Sequence, residues 1–316
     1  MHKSGNVARV VTVPLSGYIN RLQAIASSSI IAAECNAQFG LCWTDINVTL
    51  APIEEVFSAD FVSEFVIDEI NFREFVGIGP KEIPDYLNVN ENIISLAGLD
   101  KGEQIFMSDL LELIEQSTKP VTLVFAAGGN FSFSTQEKAI LQRGEWYRNF
   151  KFSDAIESQA KKLLTNRDPY IGVHLRYTDR AHESPLAKSI YNAIACQVEL
   201  SGTDSVFIAS DTEKIKDKWV RKLENAGFKP WTAQVELDGL SKTRTGIGAL
   251  VDWKILGHAC TSVYFAASSY GHEAAVMAGS IDTSVALKGH VIQRVRSRST
   301  ELVGSFVNYP KNHWFR

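Results

Sequence analysis

One short segment near the middle of the chain constrains the fold most, because a buried strand there ends in polar side chains. Over residues 170–176 apolar residues alternate with other types, which is the period of a β-strand. Open α/β sheets bind ligands at the carboxyl ends of their strands. Arg176 at such an end offers a planar fork of donors that suits phosphate. An ion pair between Arg176 and Asp179 that only caps the strand is the alternative.

Strands and helices alternate along the chain. The opening β-α-β pattern, with strands at 7–13 and 39–43 around a helix at 20–37, predicts a parallel sheet. A cleaner alternation follows residue 170. Its predicted strands are 170–176, 205–209 and 261–265, and its predicted helices are 185–200, 213–226, 246–259 and 270–278.

A polar break at residues 166–169 contains a proline and is the most plausible joint between two halves. We therefore predict an α/β fold with one domain at 1–165 and a second at 166–316.

The composition excludes several classes of protein. A chain of 316 residues with 45% hydrophobic and 22% charged residues is typical of a globular protein. Its formal charge of −4 argues against a nucleic-acid partner. We expect no transmembrane segment and no signal peptide, because no long apolar run is present. The four cysteines lack Cys-x-x-Cys spacing, so we expect reduced thiols and a cytoplasmic location.

The loop between the first strand and the first helix, residues 16–22, is a candidate binding site. Gly17 would let the backbone approach an anion, and the amino-terminal end of a helix carries partial positive charge. The loop lacks the Gly-x-Gly-x-x-Gly pattern, so a nicotinamide enzyme is not supported. A plain helix start with a solvent-facing Arg21 is the alternative.

Asp211 follows the predicted strand 205–209 and is placed at the same ligand-binding edge. The pair Asp211 and Glu213 superficially resembles an Asp-x-Asp metal motif. The same residues make a good helix start, with a capping side chain and a carboxylate in the first turn. We favour a helix cap with a contact at the rim over metal ligation.

The longest informative segment spans residues 248–275. Asp252 has apolar neighbours and would be costly to bury without a partner. Ser268 and Ser269 can cap the helix that follows, while their hydroxyl and N–H groups meet phosphate oxygens. An ordinary helix cap, with Asp252 paired to Lys254 or His258, is the alternative.

Four segments resemble motifs of the GDP-fucose-dependent fucosyltransferases. Residues 174–180 are similar to His-x-Arg-x-Thr-Asp-Lys/Arg, and residues 209–211 to the Ala-Thr/Ser-Asp motif. Residues 248–275 are similar to the third motif, and residues 17–22 look like Gly-x-x-Asn-Arg/Gln-Leu. Within this family the chain resembles the α1,6 type, which includes the rhizobial nodulation enzymes.

This resemblance implies a GT-B-like fold, with two Rossmann-like domains facing a cleft. The domain at 1–165 would be the acceptor side, and the domain at 166–316 would bind the GDP-sugar. The implied activity is the inverting, metal-independent transfer of fucose or a related sugar. The donor would be a GDP-sugar, the acceptor a glycan or another hydroxyl, and no cofactor would be needed.

The resemblance also suggests roles for individual residues in donor binding. Charge on the departing GDP would be neutralised by Arg176 and the helix start at Ser268 and Ser269. His174 would contact guanine or ribose, and Asp252 would accept from the N1–H and N2–H groups of guanine. The remaining donor contacts would be Gly17, Asn20, Arg21 and Asp211.

The catalytic base is the least determined part of the site. Glu183 is the candidate by position, and Asp179 is the reserve. Tyr177 stands where the α1,6 enzymes have a second arginine, so the linkage and the acceptor stay open. A non-catalytic GDP-sugar-binding module and a metal-dependent transferase using Asp211 and Glu213 are the alternatives.

Overall fold

The structure, a computed structural model, describes residues 6–45, 50–83, 88–90, 92–99, 107–177, 184–233 and 246–289. The chain divides into two compact α/β units. The first unit comprises the described residues within Met1–Arg167, Ala233–His258 and Glu273–Ser280. The second unit comprises those within Asp168–Thr232, Ala259–His272 and Ile281–Arg316.

The elements before residue 168 all belong to the first unit. Its strands are β1 (Val7–Pro14), β2 (Gln38–Leu41), β3 (Asn88–Asn90), β4 (Ile93–Leu99) and β5 (Val121–Ala127). Its helices are α1 (Tyr18–Cys35), α2 (Ile53–Val56), α3 (Ala59–Phe65), α4 (Glu69–Val76), α5 (Met107–Gln116), α6 (Gln136–Asn149) and α7 (Asp154–Leu164).

The five strands of the first unit form one sheet in the order β2-β1-β5-β4-β3. β1 runs parallel to β2 and β5, and β5 runs parallel to β4, whereas β3 is antiparallel. Alternate residues of β5 enter two different apolar clusters: Leu123 and Phe125 pack with α1 and α5, and Val124 and Ala126 pack with α4. Both faces of β5 are therefore buried, which explains why Thr122 is its only polar residue.

The elements after residue 168 are as follows. The strands are β6 (Ile171–Leu175), β7 (Ser205–Ser210), β8 (Lys229–Trp231), β9 (Thr261–Phe265) and β10 (Val285–Leu287). The helices are α8 (Ala187–Ser201), α9 (Glu213–Glu224), α10 (Gly246–Leu256) and α11 (Ser269–Ala278).

The sheet of the second unit is parallel throughout, in the order β10-β9-β6-β7-β8. Numbered within the unit and taken from the other edge, this is the order 3-2-1-4-5 of a Rossmann sheet. Apolar residues of β6, β7 and β9 pack with Ile190 and Ile194 of α8 and with Trp219 and Leu223 of α9. The alternating strand predicted at 170–176 is thus the centre of the sheet.

Two segments predicted for the second domain group with the first unit instead. α10 packs against α7, where Lys254 forms an ion pair with Glu157 and Trp253 packs edge-on against Phe152. Residues 273–280 return to the first unit as well. One boundary between the units falls after Arg167. The two returns depend on contacts between residues 97 to 250 positions apart.

The predicted elements are close to the observed ones where the apolar pattern is strong. The first helix is shifted by two residues and ends where Asn36 adopts a left-handed conformation, with φ of 51°. The sequence interpretation missed the helices α2, α3, α4 and α6 and the strands β3, β4, β8 and β10. Within the described residues, no helix is long and apolar enough to cross a membrane.

Replacement of two helical glycines by alanine should change the free energy of unfolding in opposite directions. A Cβ at Gly144 on α6 would lie 2.7 Å from the carbonyl oxygen of Val276, so we expect Gly144→Ala to cost about 1–3 kcal/mol. A Cβ at Gly248 on α10 would meet no atom within 4 Å, so Gly248→Ala should gain up to about 1 kcal/mol. Urea unfolding measures both changes, and a shared sign would contradict this account of the packing.

Candidate functional site

The order of strands in the second sheet reverses between β6 and β9. The chain runs outward from β6 to β7 and β8, and then returns to place β9 on the other side of β6. Parallel sheets bind ligands in the crevice that such a reversal opens beyond the carboxyl ends of the strands. Residues 174–177 and 266–269 follow these two ends, so the first and third predicted motifs meet here.

His174 is a buried polar residue of this edge. It is 6% exposed, and its Nδ1 lies 3.3 Å from the Oγ of Ser268. The direction of that hydrogen bond depends on the imidazole tautomer. The ring also stacks on Tyr270, with centroids 4.5 Å apart and planes 28° apart. The sequence interpretation did not single out Tyr270, although it directly follows the two serines.

Burial lowers the pKa of His174 to about 3. The positive charge of Arg176 lowers this pKa further, whereas Asp211 opposes the shift. The imidazole is therefore neutral at physiological pH. A neutral ring can donate one hydrogen bond and accept another, but it contributes no positive charge to the site.

Ser268 and Ser269 lie at the start of α11, as predicted. The carbonyl oxygen of Ser268 accepts from the N–H of His272 at 3.2 Å, which makes Ser268 the last residue before the helix. Ser268 is 2% exposed, and its hydroxyl is hydrogen-bonded to His174. The amino-terminal end of α11 therefore lies beside His174, with the partial positive charge of a helix end.

Arg176, Tyr177 and Asp211 connect the ends of β6 and β7. The N–H of Tyr177 donates to both carboxylate oxygens of Asp211, at 3.0 and 3.1 Å. The carbonyl oxygen of Arg176 accepts from the hydroxyl of Ser184 at 3.2 Å. The ring of Tyr177 packs edge-on against Phe265. Arg176 is partly exposed beside this junction, as a ligand-binding residue at a strand end would be.

Asp211 and Glu213 occupy positions that fit contact and capping roles. Thr212 is the cap residue of α9, and Glu213 in its first turn forms an ion pair with Lys216 at 3.0 Å. Asp211 is therefore not the helix cap itself, and its role as a contact at the rim stays a prediction. Among the described residues, no group of three His, Cys, Asp or Glu side chains could hold a metal ion.

The two candidate bases, Asp179 and Glu183, lie outside the described residues. The ion pair between Arg176 and Asp179 that was the alternative for the first motif lies there too. Their roles stay predictions.

The loop after β1 has the predicted form in the first unit. Gly17 is the cap residue of α1, its φ is −72°, and a Cβ there would meet no atom within 4 Å. The backbone beside Gly17 is therefore open to approach. Asn20 donates to the Oγ of Ser16 at 3.4 Å. The unusual backbone belongs to Ser16, whose φ is 71°.

Arg21 is buried, so the solvent-facing alternative is wrong. Its side chain donates to the carbonyl oxygens of Ser16 at 2.8 Å and Thr44 at 2.7 Å, and its guanidinium lies 4.7 Å from the ring centroid of Trp43. Burial lowers its pKa to about 10, against the opposing effects of Asp45 and Tyr18. Arg21 therefore holds the loop after β1 to the segment after β2.

Asp252 lies on α10 and is 6% exposed. Lys254, which was one alternative partner for Asp252, forms an ion pair with Glu157. The Nδ1 of His258 contacts the carbonyl oxygen of Lys254 at 2.7 Å. Asp252 groups with the first unit, whereas His174, Arg176 and Ser268 group with the second. Its role as a reader of guanine stays a prediction.

No family model matches the chain, and no curated protein matches it in sequence. A mutant of Arabidopsis thaliana FUT1 in complex with GDP is similar in structure, with a TM-score of 0.56 and 14% identity over 87% of this chain and 69% of that one. POFUT1 in complex with GDP is similar with a TM-score of 0.50 and 14% identity, over 88% of this chain and 97% of that one. For fucosyltransferase NodZ from Bradyrhizobium the TM-score is 0.49 and the identity 16%, over 85% of this chain and 91% of that one.

The first two likenesses show a shared fold. The chain has the α/β, GT-B-like fold of fucosyltransferases, which confirms the fold class that the sequence motifs imply.

Acid should destabilise the protein through His174. The unfolded chain binds a proton near pH 6.5, and the folded ring near pH 3, so stability is complete above pH 6.5 and falls below it. Between pH 7 and pH 5 the expected loss is about 2 kcal/mol. Urea unfolding at both pH values measures it, and His174→Asn should reduce the difference. An unchanged difference in the variant would contradict the assignment.

Proposed function

We propose that this chain is an inverting, metal-independent glycosyltransferase. It moves fucose or a related sugar from a GDP-sugar to a glycan or another hydroxyl acceptor. The observation that carries the proposal is the cluster of His174, Arg176 and Ser268 at the strand reversal of the second sheet. Two structures of this fold are complexes with GDP, which supports a GDP-sugar as the donor.

The cluster divides the recognition of a nucleotide diphosphate between two kinds of group. His174 is neutral and stacked on Tyr270, which suits hydrogen bonds to ribose or guanine and does not suit a contact with phosphate alone. Positive charge comes from Arg176 and from the amino-terminal end of α11. Gly17 and Asn20, at the open start of α1, are proposed as further contacts to the donor.

The reaction is a displacement at the anomeric carbon of the donor sugar. The acceptor oxygen forms a bond to that carbon while the bond to the β-phosphate oxygen breaks, and GDP leaves with the electron pair. The acceptor proton passes to a carboxylate, for which Glu183 is the first candidate and Asp179 the second. Arg176 and the helix start at Ser268 and Ser269 stabilise the charge that develops on GDP.

The partners of Asp211 and Glu213 favour a site that works without a metal ion. The Asp211 carboxylate already accepts from a backbone N–H, and Glu213 is paired with Lys216. Divalent ions such as Mg²⁺ require oxygen ligands that converge on the diphosphate. Asp252 is proposed to accept from guanine and so to select GDP over UDP and ADP.

Loss of Arg176 should weaken donor binding. We expect Arg176→Ala to abolish transfer and to reduce GDP affinity by about 1.5–3 kcal/mol, because one charged hydrogen-bonded contact is lost. Arg176→Lys should restore little, since a point charge cannot reproduce a planar fork. Calorimetric titration with GDP measures the change. Wild-type affinity in the alanine variant, or equal affinity of the wild type for UDP, would contradict the donor site.

Chelation should leave activity unchanged. In excess EDTA with no added metal, we expect full transfer from GDP-fucose to acceptor, followed by release of GDP. Loss of activity that returns with Mn²⁺ or Mg²⁺ would move Asp211 and Glu213 to the centre of the mechanism. GDP binding without transfer or donor hydrolysis would favour a non-catalytic binding module.

A further inference from the structure

A fully buried carboxylate holds the helix that begins at Ser269. Glu273 on α11 has no exposed surface. Its Oε1 accepts from Gln23 Nε2 at 2.9 Å and from Arg143 Nη2 at 3.2 Å. Its Oε2 accepts from Arg143 Nε at 3.0 Å and from the hydroxyl of Tyr147 at 2.8 Å. Each oxygen is therefore held from two directions.

The partners of Glu273 come from two helices of the first unit. Arg143 and Tyr147 lie on α6, Gln23 lies on α1, and all three side chains are about 3% exposed. Burial raises the pKa of Tyr147 well above its usual value, and the charge of Glu273 raises it further, so the phenol stays a donor. Burial lowers the pKa of Arg143, but Glu273 and Tyr147 together more than offset it, so that this pKa is raised. The network is charged, and both carboxylate oxygens of Glu273 are hydrogen-bonded.

α6 contacts α11 at two further points. The carbonyl oxygen of Val276 lies so close to Gly144 that a Cβ there would be 2.7 Å away. Arg148 donates to the carbonyl oxygen of Met277 at 2.9 Å. Three successive contacts along one face, at Glu273, Val276 and Met277, leave α11 little freedom to rotate or slide.

We propose that Glu273 is a positioning residue for GDP binding, which sets the height and rotation of α11 and so places Ser268 and Ser269. Glu273 lies four residues after Ser269, which is about one helical turn. A rotation at Glu273 is therefore transmitted directly to the first turn of the helix. This inference rests on the proposed function, since it assigns the network to the donor site.

Stability alone does not account for such a network. Apolar residues of similar volume often replace a buried ion pair with no loss of stability, whereas removal of one partner is strongly destabilising. Hydrogen bonds are directional, so this set fixes the orientation of the helix more closely than apolar packing would. Binding sites need their contacts held within about 0.5 Å, which an ion pair with two bonds to each oxygen can achieve.

The test separates position from stability with a double variant. Arg143→Met with Glu273→Leu removes both charges, and its melting temperature should approach that of the wild type. Its dissociation constant for GDP should nevertheless rise by about tenfold or more, because Ser268 and Ser269 would be displaced from their contacts with GDP. Tyr147→Phe removes one hydrogen bond and should fold readily, with a smaller rise in the same direction. Calorimetric titration of folded protein with GDP is the measurement.

The control is a core variant that lowers stability without changing the network of Glu273. Ile114 on α5 is 3% exposed and packs in the apolar cluster with β5, so Ile114→Val should lower the melting temperature and leave GDP affinity unchanged. Wild-type GDP affinity in both the double variant and Tyr147→Phe would overturn the inference while the proposed function stands. A wild-type protein that does not bind GDP would overturn both.

Discussion

Parallel pairing of the strands is the constraint on which the rest of the structure depends. Parallel neighbours cannot be joined by a tight turn, so each connection must cross a face of the sheet, usually as a helix. The carboxyl ends of β6, β7 and β9 consequently meet at one edge. His174, Asp211 and Ser268 become neighbours there, although more than ninety positions separate the first from the last. The chemistry of the second unit is thus a product of its topology.

Burial decides which groups at that edge carry charge. His174 is desolvated and beside a cation, so it remains neutral, and Arg176 supplies the positive charge at a partly exposed position. In the first unit Arg21 is buried too, but its hydrogen bonds to backbone carbonyls make it part of the framework. Two arginines that look equivalent in the motifs therefore have different surroundings, and only the fold distinguishes them.

Local patterns predicted much of the fold. The period-two alternation at 170–176 identified a strand, because successive side chains of a strand point to opposite faces of the sheet. Ser268 and Ser269 were correctly placed at a helix start by their capping chemistry. The return of α10 and residues 273–280 to the first unit was not predictable, since it depends on partners such as Glu157 and Arg143 that are distant in the chain. Short edge strands such as β8 and β10 carry too few residues to show a pattern.

The backbone of Ser16 bears on how this protein can change over evolution. Its φ of 71° lies in the region that favours glycine, and a serine held there carries strain of order 1 kcal/mol. Arg21 and Asn20 both bond to this residue and hold it in place. A glycine would relieve the strain but would also enlarge the range of loop shapes in the unfolded and folded chain. Selection for a more robust fold and selection for a sharply defined loop therefore pull this one position toward different residues.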